Sequence, residues 1–318
     1  VALENEVAVD VETLAIDSAS FRQLREAEAA GGKPISEQIR MIVAQRGKMQ
    51  NPVTGSGGIF LGRVREVGGL HPDAGVLRPG DRIASLVSLT LTPLHLDRVT
   101  AVHSESERVD VEGTAILFAR TLYGRIPDDL SEEIALAVFD VAGAPASVRA
   151  RAREGETIVV IGAGKAGLLC LAAAREAVGT GGRVFALDPS AQAVERARQL
   201  GLADEVWALD ARDPLRVHGA VASATSHRLA DLVVNVANAP GTEVASVLCA
   251  RDCGTVLFFG MATSFSSAAL GAEGLAHPAT LLIGNGYVPG HAEMALDLVR
   301  RYPRLRDALA SLVARRQP

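Results

Sequence analysis

The chain has 318 residues, a net charge of −5, 48% hydrophobic and 22% charged residues. That length accommodates two domains with ample buried surface, and no block of like charge provides a nucleic-acid arm or an electrostatic membrane anchor. No apolar run reaches the roughly 18 residues of a membrane span and no basic-then-apolar leader is visible, so a cytoplasmic protein is expected.

The chain opens at Val1 without methionine, and the native start is expected upstream. Cys170, Cys249 and Cys253 form no CxxC or Cys/His cluster and read as buried thiols, while Lys33, Lys48 and Lys165 are the only lysines. Val7 to Ile16 alternates as a strand and runs into Asp17-Ser18-Ala19-Ser20. Ser36 to Arg46 reads as a helix with Ile35, Ile39, Ile42 and Val43 on one face and Gly47 as its stop. A glycine-rich lead-in, Asn51 to Gly58, enters a strand that runs on to Gly68, and the turn Pro79-Gly80-Asp81 feeds another, expected to reach about Leu89. Short strands continue to about Phe118. A helix from Ser131 to Asp140 is broken at Val141 to Pro145. From Thr157 onward β and α segments alternate, with strands expected near 157–161, 183–187, 205–209, 231–236, 255–259 and 280–283, which suits a doubly wound parallel sheet. Helices from Gly290 to Arg316 close the chain.

The stretch Gly162-Ala163-Gly164-Lys165-Ala166-Gly167 follows an apolar, β-branched strand and opens an alanine-rich helix. In this GxGxxG, Gly162 permits the tight turn, Gly164 lets the backbone approach a pyrophosphate and Gly167 lets helix and strand pack closely. The next strand ends in Asp188, about 20 residues on, where a carboxylate binds ribose hydroxyls. Pro189 and Ser190 follow it without a compensating Arg or Lys, so NAD is expected over NADP. The other strand ends supply further cofactor contacts: Asp210 and Ala211 near adenine, and Val236, Ala237, Gly260, Met261 and Ala262 along the nicotinamide side.

A β domain with a glycine-rich lead-in and a Pro-Gly-Asp turn, followed by a dinucleotide fold, resembles the medium-chain dehydrogenase/reductase superfamily. Within it the chain is similar to the diaminohexanoate dehydrogenase family over essentially its whole length. The runs that carry the likeness are Ile16–Phe21, Arg46–Gly58, Leu86–Pro93, Asp140–Ala146, Met261–Phe265, Ala269–Gly274 and Gly284–Tyr287. The resemblance implies a Rossmann doubly wound α/β domain at 131–287 and a mostly β, GroES-like catalytic domain at 1–130, with helices at 288–318 packing back on the latter. It also implies a phosphate loop one glycine longer than Gly162–Gly167, which leaves the role of Lys165 open. The implied reaction is oxidative deamination of 3,5-diaminohexanoate with water and NAD to 5-amino-3-oxohexanoate, ammonia and NADH. A homodimer is implied as well, with no nucleic-acid or membrane partner.

Zinc alcohol dehydrogenases of the superfamily bind catalytic zinc at three places that correspond here to Asp17, the region of Gly58, and Asp140 or Val141. The first domain lacks cysteine, and His71, His95 and His103 show no ligand spacing, so a metal-free site is expected. An amine suits that change, because its neutral form already has a lone pair able to expel hydride, whereas an alcohol profits from a Lewis acid. The enzyme then needs a base for the ammonium proton and for water. Asp17 and Asp140 are candidates that could equally be caps. Lys48 could bind the substrate carboxylate, act as base, or satisfy helix carbonyls. Ser88, Thr90 and Thr92 are expected to share one face of a strand and meet substrate. Glu273 and His291 are weaker candidates. A zinc-free quinone or enoyl reductase and a non-catalytic NAD-binding protein remain as alternative readings.

Overall fold

The computed structural model describes residues 2–260, 262–284 and 286–314. It forms two compact units, the first running through Asp140 and the second Val141–Leu312. The first contains β1 (Glu6–Ala15), α1 (Ser18–Ala29), α2 (Ile35–Arg46), β2 (Ile59–Val67), β3 (Arg82–Ser85), β4 (Leu94–His103), β5 (Arg108–Phe118), β6 (Tyr123–Arg125) and α3 (Glu132–Phe139). Its strands lie in the order β4-β5-β1-β2-β3-β6, and each neighbouring pair is antiparallel.

Alternation along β1 buries Val7, Val9 and Val11, while Asp10 and Glu12 point away from the core. Ile35, Ile39, Ile42 and Val43 recur along one stripe of α2 and join that core. Burial of each such side chain stabilises by about 1.5–3 kcal/mol. Gly47 stops α2 in the left-handed region, φ 66°, with its N–H donating to the Val43 carbonyl, as the sequence predicts. The sequence reading assigns no helix at Ser18–Ala29. There α1 buries only Ser20, Phe21 and Leu24, and Phe21 and Leu24 anchor it to the core.

Charged side chains bind α3 to this sheet. Arg82 pairs with Glu12 at 3.0 Å and Glu132 at 2.6 Å, Glu12 pairs with Arg63 at 2.8 Å, and Glu132 also pairs with Arg108. The chain of pairs spans β1, β2, β3, β5 and α3, and α3 lies within the first unit.

The second unit contains α4 (Gly143–Arg151), β7 (Thr157–Ile161), α5 (Lys165–Val178), β8 (Arg183–Asp188), α6 (Ala191–Leu200), β9 (Glu205–Ala208) and α7 (Pro214–Ala224). These are followed by β10 (Ala230–Asn235), α8 (Glu243–Cys249), β11 (Ala250–Phe258), α9 (Phe265–Gly274), β12 (Thr280–Ile283), α10 (His291–Arg301) and α11 (Pro303–Ala314). The strand order is β12-β11-β10-β7-β8-β9, parallel throughout, and the winding reverses between β7 and β10. This is the doubly wound sheet expected from the sequence, and the crevice at its switch point is where such sheets bind ligands. Cys170 and Cys249 are fully buried, which pushes both thiols up, Cys249 to about 12, whereas Cys253 is exposed. Among the described residues no helix is long and apolar enough to cross a membrane.

Helix α10 packs on α4 and α5, and Arg301 holds Glu176 of α5 through two bonds of 2.9 Å. This helix therefore packs within the second unit. His291, its first residue, is 5% exposed and meets the Tyr287 ring edge-on at 5.7 Å. Burial holds the imidazole below its ordinary range, against smaller opposing effects of Glu293 and the Val288 backbone. The unfolded chain protonates His291 near pH 6.5, before the native state does, so its contribution to stability is present above that pH and is lost as pH falls below it. Thermal unfolding followed from pH 7.5 to 5 should show a falling Tm, with a shallower slope in His291→Gln.

Candidate active site

The cradle at the switch point follows from close backbone packing. A Cβ on Gly167 would lie 1.9 Å from the Gly162 carbonyl oxygen, so α5 can start this close to β7 only with glycine there. Gly162 has φ 100°, and a Cβ on it would lie 3.0 Å from the Ala237 nitrogen. Gly164 is different: a Cβ there would meet no atom within 4 Å, so the space above the turn is open. No side chain caps the start of α5, whereas Ser190 and Asp213 cap α6 and α7. An uncapped helix start beside open space fits an anionic pyrophosphate, with backbone N–H groups and the helix dipole directed at it.

Asp188 ends β8 beside this turn. One carboxylate oxygen accepts from the Ala163 N–H and the other from the Ser190 N–H, both at 2.8 Å. Each oxygen keeps a lone pair for a ribose hydroxyl. Ala163 itself is buried and its N–H is committed to Asp188, so its part in the cradle is to hold the acid rather than a phosphate. Lys165 and Ala166 form the first turn of α5. Just after β9, Asp210 accepts from Nε–H and Nη2–H of the Arg212 guanidinium, which lowers its carboxyl to about 2, and Ala211 turns into the core. Arg212 is a residue that the sequence reading does not single out, and the local Asp-Ala-Arg spacing is its only signal. Val236, Ala237, Gly260 and Ala262 are partly exposed at the ends of β10 and β11. Met261 lies outside the described residues.

In the first unit three of the singled-out runs converge. A Cβ on Gly58 would lie 2.0 Å from the Ala15 oxygen and 2.9 Å from the Asp17 nitrogen, and one on Gly57 would meet the Met49 oxygen at 2.1 Å. The Gly58 carbonyl accepts from Leu89 N–H at 2.8 Å, and the Gly47 carbonyl from Leu94 N–H at 2.8 Å. Glycines at 57 and 58 thus let the runs around Asp17, Lys48 and Ser88 touch backbone to backbone. Ser20, Thr54 and Ser56 join them with mutual hydroxyl contacts of 2.6, 2.8 and 3.0 Å. Buried Asn51 donates to Gln23 at 2.8 Å and accepts from Val53 N–H at 2.8 Å. None of these polar residues between α1 and the lead-in is among those selected from sequence. The sequence reading treats Asn51 to Gly58 as a glycine-rich lead-in to a strand.

Asp17 caps α1, as the structural alternative for it expects: one oxygen accepts from Ser20 N–H at 2.9 Å. Its other oxygen is buried without a hydrogen-bond partner among the described residues. Lys48 is half-buried and makes no ion pair there, and α2 is finished by Gly47 rather than by this lysine. Asp140 is exposed and ends α3, whose Phe139 ring fills the space beside Gly124 of β6. The expectation that Ser88, Thr90 and Thr92 share one strand face is corrected. β3 stops at Ser85, and Ser88 caps a 3-10 turn, Leu89–Leu91, with its hydroxyl accepting from Thr90 N–H and Oγ1–H at 3.3 and 3.1 Å. Thr92 is buried and donates to the Ser88 carbonyl at 3.3 Å. Hydroxyls compete with the strand ladder by bonding locally to the backbone, and that competition decides this segment. Glu273 is exposed on α9. Among the described residues no three His, Cys, Asp or Glu side chains are grouped to hold a metal ion.

Comparison with known proteins agrees with both halves. Residues 1–127 match a family model described as the L-erythro-3,5-diaminohexanoate dehydrogenase N-terminal domain. The L-erythro-3,5-diaminohexanoate dehydrogenase of Acetoanaerobium sticklandii is 42% identical over 297 residues, 93% of this chain and 86% of that protein. The enzyme of the same name from Fusobacterium nucleatum is 41% identical over 306 residues, 95% of this chain and 88% of that protein. Among solved structures, an alcohol dehydrogenase of Thermotoga maritima shares the fold at TM-score 0.60 and 17% identity, covering 98% of this chain and 85% of that one. Identity of this extent over more than nine-tenths of the chain places the chain in the L-erythro-3,5-diaminohexanoate dehydrogenase family.

Proposed function

We propose that the chain oxidatively deaminates L-erythro-3,5-diaminohexanoate with NAD and water, releasing 5-amino-3-oxohexanoate, ammonia and NADH. The observation that carries the reading is 42% identity over 93% of the chain to an enzyme of that name. The cradle of Gly162, Gly164, Gly167 and Asp188 fits a nicotinamide dinucleotide, and the Asp188 carboxylate disfavours a 2′-phosphate beside it, which supports NAD.

When bound, the nicotinamide supplies the hydride acceptor. The chain's own work is to hold the diamine, take a proton from its ammonium group so that a lone pair is free, and direct water to the oxidised carbon. Asp17 has a buried carboxylate oxygen with unused acceptor capacity, which suits an ammonium group. Lys48, half-buried and without an ion pair among the described residues, suits the substrate carboxylate or the proton transfer. Asp140 belongs to the same proposal as a second carboxylate for the second ammonium. Ser88 and Thr90 stay in it as polar groups of the turn, and the site is proposed to work without metal. A homodimer is also proposed, supported by the edge strand β12, where Ile283 is 67% exposed.

Mixing the protein with NAD and the diamine should raise absorbance at the NADH band with equimolar ammonia, unaffected by a chelator. Lysine, a simple secondary alcohol, and NADP in place of NAD should give none. Tight NAD binding with no turnover of the diamine would sink the proposal. Asp17→Asn and Lys48→Ala should each lower kcat/KM for the diamine by about 100-fold, the scale of general acid–base work, with NADH affinity retained. Gly164→Ala should leave Tm unchanged but weaken NADH binding at least about tenfold, roughly one hydrogen bond to a charged group. Gly167→Ala should instead destabilise the fold by about 1–3 kcal/mol through overpacking.

A further inference from the structure

Four polar side chains are buried together where β10 ends and α8 begins: Asn235, Thr242, Glu243 and Ser246, none more than 3% exposed. Burying such groups is unfavourable unless they are bonded, and here they are. The Asn235 amide donates to Thr242 Oγ1 at 2.8 Å and Ser246 Oγ at 2.9 Å, and its oxygen accepts from Ala237 N–H at 3.0 Å. The Asn235 main-chain carbonyl accepts from Phe259 N–H at 2.9 Å and Gly260 N–H at 3.3 Å. Glu243 accepts from Ser264 N–H at 2.8 Å, and Ser264 caps α9, so the carboxylate also sits at the positive end of that helix.

An apolar cluster could have filled this volume, so the network does something that filling does not. Its bonds end on two loops. One holds Ala237, whose oxygen would be 2.3 Å from a Cβ on Gly260 and whose nitrogen faces Gly162 of the phosphate turn. The other is held at Gly260 by the Asn235 main-chain carbonyl and at Ser264 by Glu243, with Ala262 and Thr263 the described residues between. Those loops lie at the carboxyl edge of the sheet, on the side assigned to the nicotinamide. The Asn235 main chain, itself held by β-pairing, grips the Gly260 end, and the side-chain grips are those of Asn235 on Ala237 and of Glu243 on Ser264.

We propose that Asn235 and Glu243 are positioning residues for the nicotinamide end of the cofactor, Asn235 by fixing Ala237 and Glu243 by fixing Ser264; the inference rests on the dinucleotide reading of the cradle. The loops then have their bound shape before the cofactor arrives, and less of the binding free energy is lost in ordering them.

The test compares NADH with ADP-ribose, which keeps the adenosine and pyrophosphate but lacks the nicotinamide ring, by calorimetry on the full chain. Asn235→Ala and Glu243→Ala should each weaken NADH binding by about tenfold, the scale of one lost hydrogen bond, while ADP-ribose binding stays within about twofold. Glu243→Gln, which keeps an acceptor for Ser264 N–H, should restore most of the NADH affinity. Equal weakening of both ligands, no weakening of either, or a wild type that binds NADH no more tightly than ADP-ribose would overturn the inference. Failure of the wild type to bind either ligand would strike at the dinucleotide reading itself. Should both alanine variants fail to fold, Thr242→Val decides, because it is isosteric and removes one anchor of Asn235. It should weaken NADH selectively by about threefold, and the absence of selectivity would overturn the inference.

Discussion

The second unit depends on one approach of backbone to backbone, that of α5 to the end of β7. With 1.9 Å between a Cβ at Gly167 and the Gly162 oxygen, any side chain would push the helix off the sheet. Because the helix starts so close, its N-terminal end opens onto the space above Gly164, and Asp188 on the next strand comes within reach of the Ala163 N–H. The phosphate cradle, the placement of the acid and the contact of Gly162 with Ala237 all follow from that approach. Chemistry here is arranged mainly by main chain, with side chains fixing which conformation the main chain takes.

The first unit solves a similar problem with a different emphasis. Glycines at 57 and 58 again let segments touch, but what they bring together is polar: Asp17, Asn51, and the hydroxyls of Ser20, Thr54 and Ser56. The buried oxygen of Asp17, without a partner among the described residues, stands out against neighbours whose hydrogen bonds are satisfied. Leaving such an oxygen unbonded costs about 1–3 kcal/mol, more when charged, unless something binds to it. A family whose named members act on a diamine supplies a reason for retaining that acceptor.

Much of this was legible in the sequence, for identifiable reasons. Parallel strands buried on both faces leave continuous apolar runs such as Thr157–Ile161, and the glycine fingerprint with Asp188 has few structural alternatives. Helix α1 was not legible, because only Phe21 and Leu24 supply large apolar contacts in twelve otherwise polar or small residues, too few to establish a period. The Ser88–Thr92 segment was misread for the opposite reason. Its hydroxyl and leucine residues alternate with the period of a strand, yet the Ser88 hydroxyl turns back on its own backbone. The networks around Asn51 and Asn235 consist of residues far apart in sequence, such as Gln23 with Asn51 and Glu243 with Ser264, and no local pattern announces them.

The ion-pair chain that binds α3 to the β sheet has an effect on how the first unit responds to heat. Its cations at 63, 82 and 108 are all arginines, which present a planar fork to Glu12 and Glu132. The cost of stripping water from such charges falls as temperature rises, because their hydration carries a strongly negative entropy, while the gain from apolar burial levels off. The relative contribution of this chain of pairs therefore grows on warming, and α3, at the boundary between the two units, is retained on the sheet by an attraction that strengthens as its hydrophobic neighbours stop gaining.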